Sequence, residues 1–168
     1  MSAYIEPNEL ERMLTKLMTK VHGPLLSGDF LFRSLGYSSS DALRQAFHRN
    51  TIPITLIDFP NRKNKFALSD VIAEWLVRQR FSNYDQPVTI SKRLIEMLPD
   101  KLKILILDKG YLFHEEDILD FLGLKNKNEL LIQYESGAIP FSLFTIDKRR
   151  TKLFALSIEV FDFMNKSE

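Results

Sequence analysis

Apolar residues along this chain follow two spacings. Between Ser39 and Arg49 they recur at helical intervals: Leu43 and Phe47 lie four apart, with Ala42 and Ala46 beside them, a stripe that predicts one buried helix face. Asp41, Arg44, Gln45, His48 and Arg49 fall at i, i+3, i+4, i+7 and i+8 and share the opposite face. After Ile52-Pro53 the pattern turns to strand-like alternation, passes through a basic loop and returns as Phe66-Ala67-Leu68, which reads as a hairpin. Helices are predicted before this segment over Asn8 to Val21 and Asp29 to Leu35, and after it over Asp70 to Arg80.

The same series then returns. A shift of 87 positions sets Gly23 on Gly110, Leu25 on Leu112, Leu35-Gly36 on Leu122-Gly123, Leu43 on Leu130 and Ile52-Pro53 on Ile139-Pro140. Beyond the basic loop the shift becomes 88, and Phe66 to Ser69 meets Phe154 to Ser157, with Trp75 on Phe163. The slip falls between two predicted strands, where a change of loop length costs least. Internal repetition of this kind sets the organisation of the chain. The second copy predicts helices over Leu98 to Leu107, Glu115 to Leu122, Lys127 to Glu135 and Ile158 to Lys166, with a hairpin starting at Ile139-Pro140. Ser27 and His114 take N-cap positions, Ser being the better cap. Gly36 and Gly123 suit the sharp turns that follow Leu35 and Leu122. The polar, Pro-containing stretch from Ser82 to Pro87 marks the join, so the expected domains are 1–82 and 95–168, with 83–94 as the linker.

Composition narrows the classes. Of 168 residues, 45% are hydrophobic, enough for a packed core. There is no cysteine, which removes disulfides and thiolate metal sites. The N-terminal residues carry early acids and no long apolar run, unlike a signal peptide. The longest aliphatic stretch, Ile104 to Leu107, is far short of the roughly 20 residues that span a bilayer. His22, His48 and His114 lack the paired spacing of a metal site, and there is no Gly-rich phosphate loop or nucleophile elbow. In His114-Glu115-Glu116-Asp117 the acids suit the start of a helix dipole. Trp75 reads as core. Neither an enzyme nor a cofactor is expected.

The order helix, Gly turn, helix, basic hairpin, helix is that of a small winged helix-turn-helix. The stretch from Phe30 to Pro53, then a hairpin and Phe66 to Leu76, resembles the excisionase and MerR type of that fold, with Asp70, Val71, Trp75 and Leu76 matching its closing Asp-Val-x-x-Trp-Leu. The resemblance covers most of the first half and survives in the second as a hydrophobic skeleton. It implies a mainly α fold with small β-hairpins (α+β): tandem winged-helix repeats related by a pseudo-two-fold. It further implies a protein of mobile elements that binds double-stranded DNA, cytoplasmic and nucleoid-associated, acting as a transcription regulator or as an accessory factor in excision or transfer.

The two copies differ in chemistry. The first offers Arg44, Gln45, His48 and Arg49, long donors suited to base edges in the major groove. Ser38, Ser39 and Ser40 open that helix, where hydroxyls and free N–H groups suit a phosphate. Its wing carries Arg62, Lys63 and Lys65 for the DNA backbone. In the second copy the reading positions become Leu131, Ile132, Glu135 and Ser136. Leu131, Ile132 and Glu135 predict a face covered by protein, either by the other half of the same chain or by a partner or second copy. Its wing keeps Lys148, Arg149, Arg150 and Lys152, assigned to DNA backbone, with an acidic protein surface as the alternative. Residues 24–82 hold eight Lys/Arg against five Asp/Glu, and residues 110–168 hold seven against ten, so a net charge of +1 hides opposite halves. The rival expectation is a winged-helix adaptor that binds protein and no longer reads DNA.

Overall fold

The computed structural model describes residues 3–82, 87–146 and 149–166. Its fold is mixed α+β, with helix predominant and small antiparallel sheets. In chain order the first elements are β1 (Ala3–Ile5), α1 (Pro7–His22), β2 (Leu25–Ser27), α2 (Gly28–Ser34), α3 (Ser40–His48), β3 (Phe66–Leu68) and α4 (Ser69–Ser82). There follow β4 (Val88–Ile90), α5 (Lys92–Glu96), α6 (Asp100–Lys109), β5 (Leu112–Phe113), α7 (Glu115–Leu122), α8 (Lys127–Glu135), β6 (Phe144–Ile146), β7 (Arg149–Leu156) and α9 (Ser157–Lys166).

Two compact units result: Glu6–Arg78, and Met1–Ile5 together with Gln79–Glu168. The boundary falls inside α4, not in the stretch 83–94 read as the linker. Part of that stretch is structured. β4 pairs antiparallel with β1 in the register Ala3↔Ile90, Ile5↔Val88, and Ile5, Val88 and Ile90 are buried. Three residues of Val-Thr-Ile alternation are too few to stand out against polar neighbours.

Within each unit the elements follow one plan, and the contacts recur at the shifts of the sequence repeat. β2 pairs with β3 as Leu25↔Leu68 and Leu26↔Ala67. β5 pairs with β7 as Leu112↔Leu156 and Phe113↔Ala155. These first strands are missing from the sequence reading, being two or three residues long and continuous with the helices that follow. The Ser69 hydroxyl donates to the Gly23 carbonyl at 2.9 Å and the Ser69 N–H to that of Pro24. The Ser157 hydroxyl donates to the Gly110 carbonyl at 2.7 Å and the Ser157 N–H to that of Tyr111. Gly23 and Gly110, at φ 87° and 76°, end α1 and α6 in a conformation that suits glycine.

α3 and α8 are each capped by the residue before them. The Ser39 hydroxyl accepts the Ala42 N–H, and the Asn126 side chain accepts that of Glu129. Ser27, expected as a cap, makes no side-chain capping bond, because it is the last residue of β2, paired to Phe66. At His114 the backbone N–H donates to the Asp117 carboxylate at 3.0 Å. α6 starts at Asp100 and not at Leu98, whose φ is 46°. Pro99 disfavours helical geometry in the residue before it.

The expected hairpins turn out unequal. In the second unit β6 and β7 form a ladder. In the first, the segment after Ile52-Pro53 forms a single bridge, Ile57↔Phe66. Pro60 has no N–H to extend a ladder beyond it, and Asn61 turns at φ 67°.

The core of the second unit is built from Phe113, Ile118, Leu130, Leu143, Ala155 and Val160, with Leu105, Phe121 and Phe163 packed on it. A buried ion pair lies in the same unit: Arg80 reaches both Glu159 oxygens at 3.0 Å, with side chains 0% and 7% exposed. Asp162 accepts the Ser91 N–H at 2.8 Å and so fixes the end of β4 to α9.

Two outcomes are expected. Ser157→Ala lowers the denaturation free energy by about 1–3 kcal/mol, because it leaves a buried carbonyl unpaired; Ser69→Ala costs less, because its partner carbonyl, at Gly23, is only part-buried, as urea titration of the full chain measures. Arg80→Met isolates the Glu159 charge and costs about 3–5 kcal/mol, and a second change, Glu159→Leu, recovers most of that loss.

Candidate nucleic-acid interface

The face of α3 follows from its sequence spacing. Leu43 and Ala46 are buried, while Arg44, Gln45, His48 and Arg49 are all exposed. The helix stops at Asn50, whose φ of 54° lets the Thr51 N–H return to the Ala46 carbonyl at 3.0 Å. Gly137 has the same place in the second unit, where the Ala138 N–H returns to Gln133. Arg44 pairs with Asp41 at 2.9 Å, but both side chains are about 70% exposed. A pair so open contributes little and leaves the guanidinium available. Ser38 and Ser40 are exposed. Ser39 is also exposed, but its hydroxyl is already the α3 cap.

Phe47 departs from the expected buried stripe: it is 37% exposed. Its ring carries the Lys65 ammonium at 4.1 Å from the centroid. Lys65 also pairs with Asp58, across the loop. Arg62 and Lys63 stay exposed at the tip, with the Arg62 guanidinium 5.9 Å from the Phe66 ring. Phe59 meets Phe66 edge to face at 5.1 Å. A groove of about 410 Å³ runs between the start of α2, α3 and the loop. Leu31, Phe32 and Phe47 line it together with Arg44, His48 and Lys63. Gly28 leaves its end open, with no heavy atom within 4 Å of the place a Cβ would take.

In the second unit the equivalent position to Gly28 is Glu115, and it changes the surroundings. Glu115 accepts the Leu153 N–H at 3.1 Å and pairs with Lys127 at 3.7 Å. Lys127 also donates to the Thr151 carbonyl. Lys152, expected to face DNA backbone, pairs with Glu116 at 3.3 Å. Partial burial works to raise the Glu116 pKa, but its own backbone N–H and the Lys152 ammonium hold it below the ordinary carboxylate value. Lys148 and the side chains of Arg149 and Arg150 lie outside the described residues.

Leu131 and Ile132 part company. Leu131 is half-buried against its own unit's core, the intramolecular alternative for this position. Ile132 is 67% exposed, and Glu135 beside it is exposed. Tyr134, the counterpart of Phe47, turns its hydroxyl to accept the Leu143 N–H at 3.3 Å. The Phe47–Lys65 contact escaped the sequence reading because Phe47 sits four residues from Leu43, the spacing of a core position. The Lys127–Glu115 pair escaped because its members lie on different helices.

Among the described residues no three His, Asp or Glu side chains gather as a metal site, and no helix is long and apolar enough to cross a membrane. No family model matches the chain, and comparison with curated proteins and with solved structures gives no match.

Proposed function

We propose that this chain is a non-enzymatic, duplex DNA-binding protein built of two degenerate winged helix-turn-helix repeats of the excisionase and MerR type. α3 is the reading helix, and the basic loop around Arg62 and Lys63 is the wing that rests on phosphates. The observation that carries this reading is the α3 surface: Arg44, Gln45, His48 and Arg49 are exposed together on one helix, with Arg62 and Lys63 exposed on the adjoining loop. Arg is the residue that most often grips guanine, and Gln suits adenine. The second unit serves as support. In it Lys127 pairs with Glu115 and Lys152 with Glu116. In biological terms the protein is a transcription regulator, or an accessory factor of excision or transfer, in a phage, plasmid or integrative element.

Binding to random duplex DNA then falls steeply as salt rises, since each phosphate contact releases counterions. Arg44→Ala and Arg49→Ala each weaken binding by about 1–3 kcal/mol and relax preference at one position. Electrophoretic or fluorescence titration over a salt series measures both, and affinity unchanged in both variants removes α3 from the interface.

A second reading, a protein-binding adaptor, is favoured by one observation, the open Ile132 side chain on α8. Ile132→Glu is expected to abolish any self-association seen by sedimentation. A variant that stays folded and keeps its association removes this surface.

A further inference from the structure

At one position each unit joins a helix, α3 or α8, to the strand segment that follows it through an aromatic ring. In the second unit the joint is neutral and short: Tyr134 accepts the Leu143 N–H. In the first the ring is Phe47, and what it meets is a charge from the loop, the Lys65 ammonium. That ammonium also pairs with Asp58 on the outgoing limb. Lys65 thus touches α3 and both limbs of the loop at once. Its side chain is only 30% exposed, whereas Arg62 and Lys63 are open. The first-unit loop needs such a joint more than the second, because its backbone ladder is a single bridge between Ile57 and Phe66.

We propose that Lys65 is a positioning residue and not a phosphate contact. With Asp58 and Phe47 it forms a staple that sets the loop against α3, so that Arg62 and Lys63 reach the same duplex as Arg44 and Arg49. The inference rests on the duplex-binding reading. A cation held over a ring and against a carboxylate has little left to offer a phosphate, and moving it there would release the loop. The acid on the binding surface is explained in the same way. Asp58 would repel DNA, but its partner is Lys65.

The test uses the full chain and two readouts. The first is duplex affinity across a salt series. Asp58→Ala removes a negative charge, so simple charge addition predicts tighter binding; the staple predicts binding weaker by about three- to fivefold. Lys65→Met is expected to lower affinity with the slope against log salt unchanged, whereas Lys63→Met lowers that slope by about 0.9. The second readout is hydrogen exchange of the Ile57 and Phe66 amides in the free protein. Exchange should quicken in Asp58→Ala and Lys65→Met but not in Lys63→Met. Tighter binding by Asp58→Ala, a reduced slope in Lys65→Met, or unchanged bridge amides would each overturn the proposal. Absence of salt-dependent duplex binding in the unaltered chain would sink the functional reading, while the bridge amides still decide whether the staple exists.

Discussion

Each unit is closed by a serine. Ser69 and Ser157 begin the last helix of their units, and each ties that helix, through hydroxyl and N–H, to the two residues following an earlier one, α1 or α6. The bonds span 46 and 47 positions of chain. They place the short strands β2 and β5 beside the returning strands β3 and β7, and the middle helices are then held between fixed ends. Gly23 and Gly110 make the geometry possible by turning the carbonyl toward the serine at a positive φ. The Leu-Gly turns and helix caps refine a frame that this closure defines.

On that shared frame the units diverge through a few exchanges. Where the first unit has Gly28 and Ser40, the second has Glu115 and Lys127, which form an ion pair. In the first unit Arg62 and Lys63 are exposed and the loop hangs from a single bridge. In the second, the strands form a ladder and acids at the start of α7 take up the neighbouring lysines. One scaffold thus carries a loop with a single bridge in one copy and paired strands in the other.

Much of this was legible beforehand, for reasons that can be named. The helix positions follow from amphipathic spacing, and α3 shows its polar face where Arg44, Gln45, His48 and Arg49 place it. The repeat was legible because Gly, Leu-Gly and Phe-Ala-Leu-Ser recur at fixed shifts. What escaped has a common cause. β1, β2, β4 and β5 are two or three residues long, too short for periodicity to register. Phe47 copies the spacing of a core residue yet serves as a ring for a cation. Leu131 lies half-buried on the core while Ile132, the next residue, is exposed. Arg80 and Glu159 look like ordinary surface charges in sequence, and only the fold brings them together, 79 positions apart, out of solvent.

The pairing of Ala3–Ile5 with Val88–Ile90 has a bearing on how the chain comes into being. Synthesis delivers β1 well before its partner, so this strand must wait while the whole first unit emerges. Its edge stays unpaired for that interval, a state prone to mispairing. Three residues make a poor template for intruders, and that brevity protects the nascent chain. The same arrangement means that cutting the gene at the apparent join would take β1 away from the unit it completes.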